Sequence, residues 1–292
     1  MNESNLLKGS CLCGDITYQS TQIHNEMWNC HCHACRKSNS IAYATWIKAQ
    51  DSSFEWLEKK SAITRHYSSP TMSRTFCSKC GSILPAHIEK ENYRLLPAGG
   101  ISTPHNLTPS EDRYADQIPP WYNICGHHHN EQTQRSGHSE QILNHNNLNG
   151  TVQGSCLCGS INYTVTGEMD AIRGCHCSRC RRRSGGGFFT GMPMVFSDFQ
   201  VQDHGKNIKE FKLPESQFYS YRFCGICATL IPMIFPGGNR TVIAAGTIDS
   251  LLPVQLMFHI FCASKAPWLN FNPNDVCFNE YPPSDYDWRR NS

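Results

Sequence analysis

The chain has 292 residues, 39% of them hydrophobic, with 21 glycines, 16 prolines and a formal net charge of +2. That length suits one large domain or two of ordinary size, and the Gly and Pro content favours short strands and turns over long helices. A near-neutral balance with no long run of Lys or Arg gives no footing for nucleic acid or an anionic membrane as partner. Residues 1–10 lack the apolar segment of a secretory signal, and no stretch approaches the roughly 18 apolar residues of a membrane helix, so a cytoplasmic location is expected.

In chain order, residues 9–18 (GSCLCGDITY) form a C-x-C turn at Cys11 and Cys13 and lead into a short strand at Ile16, Thr17 and Tyr18. A C-H-C-x-x-C cluster follows at Cys30, Cys32 and Cys35, trailed by Arg36 and Lys37. Residues 42–47 (AYATWI) are β-branched and aromatic and predict a strand. A C-x-x-C pair stands at Cys77 and Cys80, then an Ala98-Gly99 step and a closing segment, DRYADQIPPW, over 112–121. Residues 126–149 are polar, cannot bury a core and read as a linker, with His127, His128 and His129 as part of its solvated tract.

The same order then returns. Residues 154–163 read GSCLCGSINY, placing a second C-x-C at Cys156 and Cys158, and the cluster recurs at Cys175, Cys177 and Cys180. Arg181, Arg182 and Arg183 follow it, then Gly185, Gly186 and Gly187. Residues 219–223 predict a strand leading into Cys224 and Cys227, Thr241, Val242 and Ile243 predict another, and Ala245-Gly246 and a closing HIFCASKAPW over 259–268 complete the set. The chain is therefore a duplication, with a first domain over 1–125, a linker over 126–149 and a second domain over 150–292. No segment holds a helical period, and the direct reading is a mainly β fold with cysteine knuckles at its turns.

Most of the 17 cysteines sit one or two residues apart, too close for relaxed disulfides, and read as metal ligands. Each copy clusters seven. A closed zinc site takes four, and three protein ligands with an open position is the catalytic pattern. A C-x-C facing a distant C-x-x-C makes a clasp: Cys11, Cys13, Cys77 and Cys80 in the first copy, and Cys156, Cys158, Cys224 and Cys227 in the second. The trios Cys30, Cys32, Cys35 and Cys175, Cys177, Cys180 are then the open sites. His31 and His176 lie between ligands; they either complete the trio or, as alternation along a strand favours, point away from it. Cys125, Cys262 and Cys277 have no counterpart in the other repeat.

Three thiolates make zinc a weaker Lewis acid than three imidazoles do, so hydrolysis is not the natural chemistry. Such an ion suits an incoming thiol, and thiol addition to an aldehyde or the reverse cleavage follows. Arg36, Arg181 and Arg182 are candidate contacts for the carboxylates of a thiol such as glutathione.

Taken together, G-x-C-x-C-G, C-H-C-x-x-C, C-x-x-C, the Ala-Gly step and the second copy's closing K-A-P-W resemble the glutathione-dependent formaldehyde-activating enzyme family, which includes centromere protein V. The resemblance covers nearly all of both halves. It implies two tandem Mss4-like (β-tent) zinc-binding domains, each with one structural zinc and one on the C-H-C-x-x-C trio, four ions per chain. The implied activity is that of a carbon–sulfur lyase adding glutathione to formaldehyde or another small electrophile. A non-catalytic zinc module for protein or chromatin contacts is the alternative. The second copy, whose closing segment keeps His259 and Lys265 where the first has Asp112 and Ile118, is expected to be the active one, although Ala228 replaces the family's glycine after its C-x-x-C.

Overall fold

A computed structural model describes residues 6–287 apart from 22, 59, 124–147, 218 and 272. The expected linker lies outside the described residues except for Leu148 and Asn149, as do Cys125 and His127, His128 and His129, and the strand Asn149–Ser155 begins at the last linker position.

Strands dominate, as the composition predicts. The first copy pairs seven in one sheet, in the order Asp112–Arg113, Ile23–Cys30, Ala44–Gln50, Tyr93–Pro97, Ile83–Ile88, Met72–Cys77 and Ile63–Ser69. A small sheet of Leu7–Ser10, Thr17–Ser20 and Phe54–Trp56 lies beside it. The second copy divides the same elements differently. Its long strand Phe189–Asp203 carries Ile161–Met169 and Asn149–Ser155 on one half, and Ile172–Cys175 and Arg240–Ala244 on the other. In the first copy a 3₁₀ turn at Asp51–Ser53 breaks that strand in two and separates the small sheet, whereas in the second copy Ile208–Lys212, Ser220–Cys224 and Leu230–Ile231 form the separate sheet.

Two short helices interrupt the β pattern, α1 (His33–Asn39) and α2 (Ser178–Ser184). At seven residues each they are too short to show a helical period. Their starts are set by the cysteines: the Cys32 and Cys177 sulfurs each accept the backbone N–H of the residue three along, at 3.4 Å, as an N-cap does. Both end in a left-handed residue, Ser40 and Gly185.

The copies are joined reciprocally. The Ala98–Gly100 turn of the first copy packs on α2, with the Gly99 N–H donating to the Gly185 carbonyl at 3.0 Å. The Ala245–Thr247 turn of the second packs on α1 so tightly that a Cβ on Gly246 would lie 2.3 Å from the Ile41 carbonyl oxygen. These are the two Ala-Gly steps of the repeat, and glycine is required because backbone approaches backbone. Asn39 donates to the Ser184 carbonyl at 2.8 Å, and the Ser40 hydroxyl accepts the Leu230 N–H at 2.8 Å. Lys37, 3% exposed, meets Asp249 at 2.6 Å and the Ser155 carbonyl at 3.1 Å. Most buried residues of both halves form one continuous apolar core, with a smaller separate cluster of Cys156, Ile161, Cys224, Cys227 and Ile231.

Candidate metal centres

Four groups of cysteine sulfurs converge among the described residues: Cys11, Cys13, Cys77 and Cys80; Cys156, Cys158, Cys224 and Cys227; Cys30, Cys32 and Cys35; and Cys175, Cys177 and Cys180. Within each group the sulfurs lie within 4.8 Å of one another. The C-x-C knuckle is a turn between two antiparallel strands, and the C-x-x-C ends the strands Met72–Cys77 and Ser220–Cys224. Tetrahedral Zn–S bonds of about 2.3 Å put sulfurs about 3.8 Å apart. The observed Cys13–Cys77 and Cys158–Cys224 separations of 3.8 and 3.7 Å fit such a set. Backbone N–H groups of Ile16 and Ile161 donate to Cys11 and Cys156 at 3.3 Å, which favours the thiolate form. Gly81 and Ala228 close the two C-x-x-C turns at the same positive φ of 64°. Alanine holds that conformation at a cost of about 1–2 kcal/mol, so the departure from glycine in the second copy changes strain and not shape.

Each trio combines a strand end with the first turn of a helix. The intervening histidines do not join it. His31 is bonded to Asp112 at 2.8 Å, and His176 to His259 at 2.8 Å, so both side chains face the closing segments. Burial pushes His176 down to about 2 and His259 down to about 4, so both rings are neutral and one N–H is shared between them. The matched positions 112 and 259 thus do the same work with different chemistry, an acceptor carboxylate in one copy and an imidazole in the other.

The surroundings of the trios differ more. In the first copy Arg74, 7% exposed, donates from Nη2 to the Cys35 sulfur at 3.4 Å. Neighbouring Cys30 and Cys32, and then the Arg74 charge, hold the Cys35 thiol well below its ordinary value. Trp28 and Trp46 pair across adjacent strands there, 4% and 1% exposed, with the Arg113 guanidinium 3.8 Å from the Trp28 ring centre. The second copy has Arg173, Gly191, Tyr221 and Ile260 at the positions of Trp28, Trp46, Arg74 and Arg113. All four line a cavity of about 250 Å³ that has Cys175 and Cys180 in its wall. The Tyr219 hydroxyl donates to the Cys180 sulfur at 3.8 Å, and burial, with the Cys180 charge, keeps that phenol protonated.

The sequence matches the family described as glutathione-dependent formaldehyde-activating enzyme over residues 6–117 and again over 151–264. The chain belongs to that family. A relative from Halomonas elongata, named a putative glutathione-dependent formaldehyde-activating enzyme, is 27% identical over 139 residues, spanning 45% of this chain and 88% of that protein. A solved Rhodobacter sphaeroides protein aligns with 34% of this chain and 91% of its own length, at 18% identity and a TM-score of 0.30. No described helix is long and apolar enough to cross a membrane.

Of the basic residues that follow the trios, Arg183 reaches the cavity wall, whereas Arg36, Arg181 and Arg182 lie elsewhere. Arg36 and Arg181 turn back to donate to the His31 and His176 carbonyls at 3.3 and 3.1 Å. Arg182 stands at the α2 position that matches Lys37 on α1. The guanidinium groups that line the cavity are Arg173 and Arg183. Arg183 was visible only as one member of a basic run, and nothing in the spacing marks Arg173, which enters through strand pairing with Gly191.

Proposed function

We propose that this chain is a zinc-dependent carbon–sulfur lyase that joins a thiol to a small electrophile, or releases it, in its second copy. The observation that carries the reading is the contrast between the trios: one is covered by a buried guanidinium, and the other opens on a cavity. The clasps, with four sulfurs each, are assigned as structural zinc sites, and the trios as three-ligand sites, four ions per chain. The domains that go with this reading are 1–125 and 150–292, joined by 126–149. The thiol in the family's name is glutathione and the electrophile formaldehyde, and glutathione is the first candidate thiol here.

Zinc held by Cys175, Cys177 and Cys180 would supply the acidity that turns an incoming thiol into a nucleophile. The protein's own residues prepare the site. Tyr219 donates to Cys180 and so moderates the charge on the trio. The His176–His259 pair fixes the peptide between two ligands.

Protein purified without chelator should contain about four zinc per chain, measured by elemental analysis. Cys177→Ser should abolish thiol-dependent turnover and remove one zinc, whereas Cys32→Ser should retain most turnover. A reproducible content of two zinc, or loss of activity only with Cys32→Ser, would overturn the assignment.

A further inference from the structure

Building on the carbon–sulfur lyase reading, we infer that the electrophile of the second copy is an aldehyde with an aryl or alkyl body, seated in the cavity beside Cys175 and Cys180. Formaldehyde has no such body. The walls include Phe189, Leu230, Met233, Phe235 and Val242, with Tyr281, 67% exposed, on the solvent side. An apolar cavity of about 150 Å³ is enough for one benzene, so about 250 Å³ holds a ring with a short tether, or a chain of comparable bulk. The wall also holds Arg173 and the buried Arg183, so a carboxylate of the thiol has partners at that part of the lining, and the apolar part is left for the aldehyde body. The aldehyde body is therefore placed against the apolar wall, and the thiol's carboxylates toward the guanidinium groups.

Gly191 is the residue that leaves the space. Its position on the long strand corresponds to Trp46, and that of its cross-strand neighbour Arg173 corresponds to Trp28. A Cβ at Gly191 would already lie 2.7 Å from the Phe189 ring edge and 2.9 Å from a Val242 methyl, both ends of side chains. The first copy thus fills with two indoles the register positions that carry an arginine and a glycine in the second. In the reaction the thiol sulfur bonds to the carbonyl carbon, the carbonyl π bond opens, and the thiol proton ends on the new hydroxyl. No oxidant or reductant is consumed.

The test is an aldehyde series with glutathione as thiol, from formaldehyde through acetaldehyde and butanal to phenylacetaldehyde, on the zinc-containing full chain. Transfer of each methylene from water predicts a rise in kcat/KM of roughly threefold to fourfold per added carbon until the cavity is full. Calorimetric binding of 2-phenylethanol, which cannot form an adduct, gives a readout independent of turnover. Binding should be present in the wild type, absent in Gly191→Trp and weakened severalfold in Tyr281→Ala, whose exposed position leaves folding intact. A flat or falling aldehyde series with turnover of formaldehyde, together with no alcohol binding, overturns this inference and leaves the lyase reading standing. Alcohol binding without thiol-dependent turnover of any aldehyde overturns the lyase reading and the inferred substrate with it.

Discussion

Position 74 and its counterpart 221 separate the two halves through a single side chain. Arg74 reaches the Cys35 sulfur, while Tyr221 donates to the Cys80 carbonyl of the other copy at 2.7 Å. A trio carrying three thiolates around a dication is anionic, and a buried guanidinium touching it lowers the cost of that charge. Arg74→Met should therefore weaken zinc at the first trio by about 10–100-fold in chelator competition, with the other three sites unchanged. An unaltered release profile would mean that the contact contributes nothing to metal retention. The grouping of the ligands was legible because knuckle spacing is local. The Arg74 contact was not, because it spans 39 residues and follows from which strands pair.

Elements were legible where the pattern was strong and local. The AYATWI stretch predicts a strand, and Ala44–Gln50 is one, although Ala42 and Tyr43 belong to the turn that brings the chain back from α1. The two helices escaped because capping sulfurs, not periodicity, start them. The clasps tie elements far apart in sequence, Cys13 to Cys77 and Cys158 to Cys224, so a metal ion there would hold two sheet ends together. Cys11→Ser or Cys156→Ser should thus unfold its own copy, since binding energy at a closed site is folding energy. Circular dichroism melting would show it, and a variant with wild-type Tm and zinc content would exclude the structural role. Loss of a trio ligand should be milder, because each trio closes a loop of only six residues from Cys30 to Cys35 or Cys175 to Cys180.

Across the whole molecule the two halves lean on each other through matched glycines. Gly246→Ala places a methyl against backbone atoms of α1 and Ile41 that have no rotamer to yield. It should cost about 1–3 kcal/mol as overpacking does, and because one core serves both halves, scanning calorimetry should show both copies destabilised together. A shift confined to one of two separate transitions would mean that the halves are energetically independent. The repeat itself was plain in the sequence. That the Ala-Gly steps are the contacts between the halves was not, because a glycine needed for close approach looks the same as one needed for a turn.

That reciprocal packing has an evolutionary consequence. Two identical subunits facing each other across a two-fold axis must share every residue, so an alteration that closes one pocket closes both. Covalent fusion lifts this constraint while keeping the mutual support. One half is then free to trade its binding space for a filled interior, and the other to widen its choice of substrate. With the Ala-Gly step of each half already packed on the helix of the other, the chain of 33.0 kDa is expected to elute and scatter light as a monomer, and a stable dimer at micromolar concentration would count against that view.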